Sequence, residues 1–263
     1  FLSVTVAVTP IGGDNGSLIV PGGAVVSGSG SQRSLVIVPS ADQYGATHLT
    51  VTVTDTAGAT ATRTFLVTVN AVNDGPVNTV PLVPQMVAEN GTLNFSGSIW
   101  VSDVDAGAGD VQVSLSVQHG TLAATGTVVS GSGTSTVTML GTLSAINTAL
   151  GTLSYTPALD YHGSDVLTVT SSDGSLSDTD LVAITVSNVN NAPTIAGAAA
   201  GQGITDKETI APFSGVTIGD VDSPAQTLAV TVSLNPNAAG VFTAGSLSGS
   251  GFSGSGPYVF SGT

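Results

Sequence analysis

Apolar residues alternate with Thr, Ser or Gln along several short segments of the chain. Residues 49–54 read Leu-Thr-Val-Thr-Val-Thr, and a period of two also runs through residues 65–69, 111–117 and 228–232. Such alternation places one face of a strand in a core and the other in water. Clusters of Gly, Asn, Asp, Ser and Pro separate these segments, so the pattern predicts antiparallel sheets. Only residues 144–150 favour helix, as a single turn in a crossover.

The strongest feature of the sequence is an internal repeat. The Asn-Asp-Gly-Pro motif at 73–76 recurs as Asn-Asn-Ala-Pro at 190–193, which is 117 positions later. The Asp-Val-Asp turn at 103–105 recurs at 220–222, and residues 65–69 match residues 182–186, both at the same offset. A unit of this length is too long for a solenoid coil and has the size of one β-sandwich.

The repeat therefore predicts an all-β chain of tandem antiparallel immunoglobulin-like β-sandwich domains joined end to end. We expect residues 1–75 to be the C-terminal part of one sandwich, 76–192 a complete sandwich, and 193–263 the N-terminal part of a third. The junctions would lie at Pro76 and Pro193. On this view both ends of the sequence are cuts within a longer array.

Composition restricts the partners of the chain. It carries three basic and 17 acidic residues, for a net charge of -14. Such a surface repels nucleic acid and anionic membranes, and no apolar run has the roughly 20 residues of a membrane span. The absence of Cys excludes disulfides and thiolate chemistry. Carboxylates without basic partners are free to bind hard cations, of which calcium is the natural candidate.

Several motifs resemble those of a known family of repeats. They are Val-Asn-Asp-Gly-Pro at 72–76, Ala-Glu-Asn at 88–90, Ser-Asp-Val-Asp at 102–105 and the segment at 140–157. In this order they resemble cadherin-like repeats of large bacterial surface adhesins, of the RTX-type and biofilm-associated kinds. The resemblance implies an extracellular location on a bacterial cell surface. The same repeats also accompany polysaccharide-active enzymes, so the resemblance predicts the fold of the chain better than its function.

The loop positions predict a calcium site at each junction. Successive strands of a sandwich reverse, so loops sort to two ends. This scheme places Asp103, Asp105 and Asp173 at the top of the middle domain near Glu89, and Asp42 at the bottom of the preceding domain. The predicted ligands at the first junction are Asp42, Asn73, Asp74, Glu89, Asp103, Asp105 and Asp173. Those at the second are Asn190, Asp206, Glu208, Asp220 and Asp222. Alternatively, these residues only cap their own turns.

The second junction departs from the first in charge. Asn191 stands where the first linker has Asp74, and Lys207 lies between Asp206 and Glu208. Fewer carboxylates and a competing ammonium weaken the hold on a hard cation. The sequence therefore predicts tighter calcium binding at the first junction.

Catalytic signatures are missing from the sequence. His48, His119 and His162 occupy unrelated repeat positions, and no triad or phosphate loop is evident. The lone Trp100 is expected to pack in or near the core rather than to stack on a sugar. The glycines at 28–30 and 249–256 read as hairpin or loop residues. We predict that the chain is not an enzyme.

The favoured function is a structural spacer, a stalk segment of a long adhesin or surface fibre stiffened by calcium. Its partners would be neighbouring repeats of the same chain and other copies in a fibre. A host glycan or protein would bind elsewhere on the parent protein. Two alternatives stay open: a carbohydrate- or protein-binding module, against which 5% aromatic content argues, and accessory repeats of a secreted polysaccharide-active enzyme.

Overall fold

The computed structural model describes residues 2–198, 200–208, 210–211, 214–222 and 224–232, together with the backbone of 258–262. Strands joined by turns make up most of this part of the chain. The prediction of an all-β sandwich fold is confirmed. The glycines at 249–256 lie outside the described residues. Every strand pairing among the described residues falls within residues 1–75, 76–192 or 193–263, which we call the first, middle and third units.

The first unit forms a three-stranded sheet and a two-stranded hairpin. Its strands are β1 (Ser3–Val8), β2 (Ile19–Ser27), β3 (Ser34–Pro39), β4 (Gly45–Thr54) and β5 (Thr60–Val69). The sheet has the order β1-β4-β5, while β2 pairs with β3 across a turn in which Gly28 and Gly30 have positive φ. The predicted hairpin role of these two glycines is confirmed. Apolar burial is concentrated at Leu18, Ile19 and Leu49.

The middle unit has two larger layers. Its elements are β6 (Val77–Thr79), β7 (Gln85–Ala88), β8 (Leu93–Asn94), β9 (Trp100–Ser102), β10 (Val111–Ser116), β11 (Gly120–Ala123), β12 (Val129–Ser130), β13 (Thr136–Gly141), α1 (Leu143–Leu150), β14 (Ser154–Pro157), β15 (Gly163–Ser172) and β16 (Ser177–Ser187). One layer is a six-stranded sheet of order β12-β13-β10-β15-β16-β7. The other contains β11-β14-β8 and the pair β6-β9.

The main core lies between these two layers. Alternate residues of β10 and β15 are fully buried, among them Leu115 and Val169, and they pack with Leu122 and Tyr155 from the facing strands. The period of two in the sequence thus directs one face of each strand inward. The first unit has far fewer buried apolar residues than the middle unit.

A short helix closes one side of this core. Helix α1 begins after Thr142, whose hydroxyl accepts a hydrogen bond from the Ala145 N–H, a typical N-cap contact. From its buried side, Asn147 donates to the Val101 carbonyl and accepts from the Val101 N–H, both at 2.8 Å. The Asn147 amide therefore supplies the pairing that a neighbouring strand would give β9. The predicted helical segment is present, and it begins one residue earlier than expected. None of the helices among the described residues could cross a membrane.

A buried Tyr–Asp pair ties the two layers together. Asp165 of β15 is only 3% exposed, and its carboxylate accepts hydrogen bonds from the Tyr155 hydroxyl at 2.8 Å and from the N–H groups of Gln118, His119 and Val166. Burial alone would raise the pKa of Asp165, but these hydrogen bonds outweigh it and hold the pKa below its ordinary value. Nothing in the repeat or the alternation predicted this pair.

The third unit is described in two separate pieces. The strands β17 (Thr194–Ala196) and β18 (Thr217–Gly219) pair antiparallel, as do β19 (Leu228–Val232) and β20 (Tyr258–Gly262). Strand β19 coincides with the alternating segment predicted at residues 228–232.

Candidate metal centre

Corresponding loops of the first and middle units share an unusual backbone. Asp42, after β3, and Asp160, after β14, both have a φ of 57°, in the left-handed region that Asp tolerates better than most residues. Each is followed three residues later by a glycine with positive φ, Gly45 or Gly163. In the first unit this loop reaches the linker, because Asp42 lines an open cleft with Asp74 and Asp103.

The linker between the first and middle units is bonded to the loops that follow it. Asn73 Nδ2 donates to Asp173 Oδ2 at 2.7 Å, and the backbone N–H of Asp74 donates to Asp105 Oδ2 at 3.1 Å. These contacts span 100 and 31 residues of sequence. The closeness of the linker to both acidic loops, expected from the sorting of loops in a sandwich, is found.

Asp173 organises the hairpin between β15 and β16. Its Oδ1 accepts hydrogen bonds from the N–H groups of Leu176 at 2.7 Å and Ser175 at 2.6 Å. The hydrogen bond from Leu176, followed by that from Asn73, lowers the pKa of Asp173. Gly75 lies against the same hairpin, since a Cβ added there would sit 3.1 Å from Leu176 Cβ. The carboxylate is thus ionised and held beside the linker.

Asp103 has one carboxylate oxygen with a partner and one without. Its Oδ1 accepts from the N–H groups of Asp105 at 3.1 Å and Ala106 at 2.9 Å. Its Oδ2 is buried and has no hydrogen-bond partner. Burial, followed by the neighbouring carboxylate of Asp105, raises the pKa of Asp103. A buried unpaired oxygen beside a second carboxylate is costly without a cation and favourable once one binds nearby.

The residues at the first junction carry the oxygen donors that a hard cation binds. Among the residues that the structure describes, no three His, Cys, Asp or Glu side chains already form a metal-binding group. The donors at the first junction instead mix carboxylates with amide and carbonyl oxygens, and calcium accepts such mixtures with water completing its shell. Asp42, Asn73, Asp74, Asp103, Asp105 and Asp173 would hold it there. The free Asp103 Oδ2 is the observation that fits this role.

The expectation that Glu89 lies at the first junction is wrong. Glu89 Oε1 accepts hydrogen bonds from the Val189 N–H at 3.0 Å and from Asn191 Nδ2 at 3.1 Å. Glu89 therefore lies at the second junction. The reason is that β6 pairs with β9, whereas β7 crosses to the other sheet and runs parallel with β16 as far as Ser187. The segment thereby carries Glu89 to the C-terminal end of its unit.

The second junction repeats the backbone contacts of the first with more amide donors. The Asn191 N–H donates to both oxygens of Asp222 at 3.0 and 3.1 Å, where the Asp74 N–H donates to one oxygen of Asp105. The Gln226 amide also donates to Asp222 Oδ2 at 2.8 Å. Asp222 in turn donates its N–H to Asp220 Oδ1 at 3.0 Å. The Asn190 amide donates to the Asn191 carbonyl at 3.1 Å. Neutral donors thus occupy carboxylate oxygens that a cation would need.

Among the described residues, no hydrogen bond or ion pair joins Asp206 or Glu208 to the second junction. Glu208 Oε2 accepts from the Thr205 N–H at 3.1 Å within one turn, and this hydrogen bond lowers the pKa of Glu208. Asp206 lies 117 positions after Glu89 and is its equivalent in the third unit. Since Glu89 lies at the C-terminal end of the middle unit, the repeat predicts that Asp206 lies at the C-terminal end of the third. Lys207 takes no part in the ion pairs found among the described residues.

The three histidines have separate neighbours. His48 Nδ1 lies 2.8 Å from Asp14 Oδ2, and His162 Nδ1 lies 3.5 Å from Glu89 Oε2. The His119 ring stacks on Tyr161 with centroids 4.3 Å apart. The three histidines thus contact three different residues.

Trp100 departs from the expectation of core packing. It is 46% exposed, because Ile99 and Val101 on either side of it point into the core. The alternation of β9 itself decides this orientation.

Among known proteins, the chain is similar to several solved structures at low sequence identity. No protein-family model matches the sequence, and no curated protein matches it either. Similar solved structures include a protocadherin gammaB7 EC3-6 cis-dimer, with 13% identity over 98% of this chain and 57% of that one and a TM-score of 0.41. Human CDH23 EC21-23 is 16% identical over 88% of this chain and 73% of that one, with a TM-score of 0.39.

A third similar structure is an endo-fucoidan hydrolase from glycoside hydrolase family 107. It is 18% identical over 71% of this chain and 24% of that one, with a TM-score of 0.24. This chain spans little more than half of the protocadherin and a quarter of the hydrolase. At these identities and TM-scores, the similarities assign neither a family nor an activity to the chain.

Proposed function

We propose that this chain is a spacer segment of a long extracellular bacterial adhesin or surface fibre, in which sandwich units follow one another end to end. Support comes from strand pairings that stay within each unit. It also comes from linkers bonded to the loops of the next unit at both junctions. A linker held in this way transmits force between units, whereas a free linker would let them swing.

Calcium stiffens the first junction in this proposal. The supporting observation is the buried, unpaired Oδ2 of Asp103 beside Asp105, at a place where Asp42 of the preceding unit and Asp74 of the linker line the same cleft. The middle unit has no Lys or Arg to neutralise these carboxylates. A divalent cation would remove the repulsion and join ligands from two units.

The second junction binds calcium more weakly in this proposal. The Asn191 amide donates to Glu89 and to Asp222, and the Gln226 amide donates to Asp222. These hydrogen bonds already satisfy the carboxylates, and calcium would have to displace them. The neutral Asn191 also gives the second linker one carboxylate fewer than the first linker.

Exchange of the two linker residues tests the proposal. Calorimetric titration of the full chain with calcium should show a tighter and a weaker or absent class of site. Asp74→Asn should weaken the tighter class by about tenfold or more, since affinity follows ligand charge. Asn191→Asp should strengthen the weaker class. Asp55→Asn removes an exposed carboxylate of the first unit, in the β4–β5 hairpin at the opposite end of β5 from the linker, and serves as the charge-matched control.

Small-angle scattering on the same samples tests the spacer role. Calcium should narrow the distribution of interatomic distances in the unsubstituted chain and in the Asp55→Asn variant, but less in Asp74→Asn. An absence of binding heat would remove calcium from the proposal. Binding that is unaffected by Asp74→Asn would place the ion elsewhere. An unchanged distance distribution despite binding would argue against a stiffening role.

A further inference from the structure

The outer face of the six-stranded sheet carries no charge. The outward residues of β10, β13, β15, β16 and β7 are the alternates of the buried ones, and all are Ser, Thr, Gln or apolar. Residues 76–192 nevertheless contain nine Asp and Glu and no Lys or Arg. These nine lie in loops, at the junctions or on the inward side of their strands. Charge in the middle unit is thus segregated away from one broad surface.

Hydroxyl groups form rows across this face. The strand register places Ser114 beside Thr170 and Thr170 beside Thr179. The hydroxyls of Thr170 and Thr179 lie 3.1 Å apart. The first unit has the same arrangement on its equivalent strands, where the hydroxyls of Thr50 and Thr64 lie 2.8 Å apart. The pattern therefore belongs to the sheet and is repeated in two units.

An exposed apolar strip lies next to the rows. Leu181 is 64% exposed and Val166 is 39% exposed, and Val166 pairs with Ala183 in the register. Met86, on β7, is 72% exposed and pairs with Thr185. The strip crosses three adjacent strands. Contiguous exposed apolar residues on a sheet face are typical of an interaction surface.

We propose that this outer face docks against the same face of a second copy of the chain. A hydroxyl both donates and accepts hydrogen bonds, so a row of hydroxyls is complementary to itself, as a two-fold interface requires. Copies with a net charge of -14 repel one another. Face-to-face docking of the uncharged sheets keeps the carboxylates of both junctions out of the contact. Sheets pack in this way at about 10 Å separation.

The area of the face predicts weak association. Its five strands, at about 4.8 Å spacing and roughly 20 Å in length, cover a planar area of no more than about 480 Å². A standard interface buries about 800 Å² per partner. The dimer should therefore form only at high protein concentration. Salt should strengthen it, because screening weakens the repulsion between copies while the contact itself contains no ion pair.

Sedimentation equilibrium of the full chain tests this proposal. We expect reversible self-association that increases between roughly 0.05 and 0.5 M NaCl and persists in a chelator, which separates it from calcium binding at the junctions. Thr179→Glu, on the proposed face, should raise the dissociation constant about tenfold or more, because it places like charges in the contact. Thr121→Glu, at an exposed Thr of the other sheet, should leave it unchanged.

A charge exchange keeps the test independent of stability. Thr179→Lys should associate poorly alone but recover association when mixed with Thr179→Glu, which a misfolded variant would not do. A monomer at every concentration would overturn the proposal and leave the face to a different partner. The proposal would also be overturned if Thr121→Glu weakened association as much as Thr179→Glu, or if the mixture of Thr179→Lys and Thr179→Glu did not associate.

Discussion

The buried Tyr155–Asp165 pair should contribute a large share of the stability of the middle unit. Asp165 Oδ1 faces the N–H groups of Gln118 and Val166, and its Oδ2 faces His119 N–H and the Tyr155 hydroxyl. Four donors thus converge on one carboxylate. Asp165→Asn replaces one acceptor oxygen by an NH₂ group, which in either orientation points at two donors.

Each contact indicates the size of the effect. The Tyr155 hydroxyl can rotate to accept from the new amide while it donates to the His119 carbonyl, 3.2 Å away. His119 N–H then stays buried without an acceptor. One unsatisfied donor costs about 1–3 kcal/mol and the lost charge-assisted bonds add to it, so we expect a loss of about 3 kcal/mol. Tyr155→Phe leaves the carboxylate three donors, and we expect a loss of about 1.5 kcal/mol.

Trp100 makes the measurement specific to the middle unit. It is the single Trp of the chain and lies in β9, so denaturant unfolding followed by Trp fluorescence reports this unit alone. Tyr161→Phe is the control for hydroxyl loss, since the partly exposed Tyr161 donates one bond to the Ser164 carbonyl. Asp110→Asn controls for the removal of one negative charge. Both should change the free energy of unfolding by less than about 1 kcal/mol.

Two results would refute the reasoning. One is an unfolding midpoint for Asp165→Asn equal to that of Asp110→Asn, which would mean that an amide at position 165 satisfies the same hydrogen-bond donors as the carboxylate. The other is a cost for Tyr155→Phe no larger than that for Tyr161→Phe, which would remove the tie between the layers.

Three further outcomes follow from the same contacts. Because the folded-state pKa of Asp165 is lowered, the contribution of its carboxylate to the free energy of unfolding is present above about pH 4 and is lost as pH falls further. The loss of stability in acid, measured by Trp fluorescence, should therefore be smaller in Asp165→Asn. Asp103→Asn should raise the stability of the middle unit by up to about 1 kcal/mol in chelator, because it removes a like charge and puts an NH₂ donor, in place of the unpaired oxygen, beside the Asp105 carboxylate. It should also abolish stabilisation by added calcium, and a variant that is still stabilised by calcium would contradict this. Gly75→Ala should lower the free energy of unfolding by about 1 kcal/mol, because the added Cβ would contact Leu176. An unchanged denaturation midpoint would show that the linker backbone shifts to accommodate the Cβ without cost.

Local pattern was enough to predict several of the strands. Alternation along residues 49–54 and 228–232 predicted strands because the side-chain period of a strand is two and needs no distant partner. Reversal of successive strands then predicted that Asn73 would lie near Asp173, 100 positions away, and that contact is found. Periodicity and the reversal of direction are properties of the chain itself, so they can be read along it.

Only the tertiary structure decided at which end of the middle unit Glu89 lies, because β6 pairs in one sheet while β7 pairs in the other. It also decided that Asp165 meets Tyr155, since their pairing depends on the packing of two layers. The hydroxyl rows likewise exist only through the register of β10, β15 and β16. Sequence sets the period of each strand, whereas sheet membership and register depend on competition among many pairings over the whole fold.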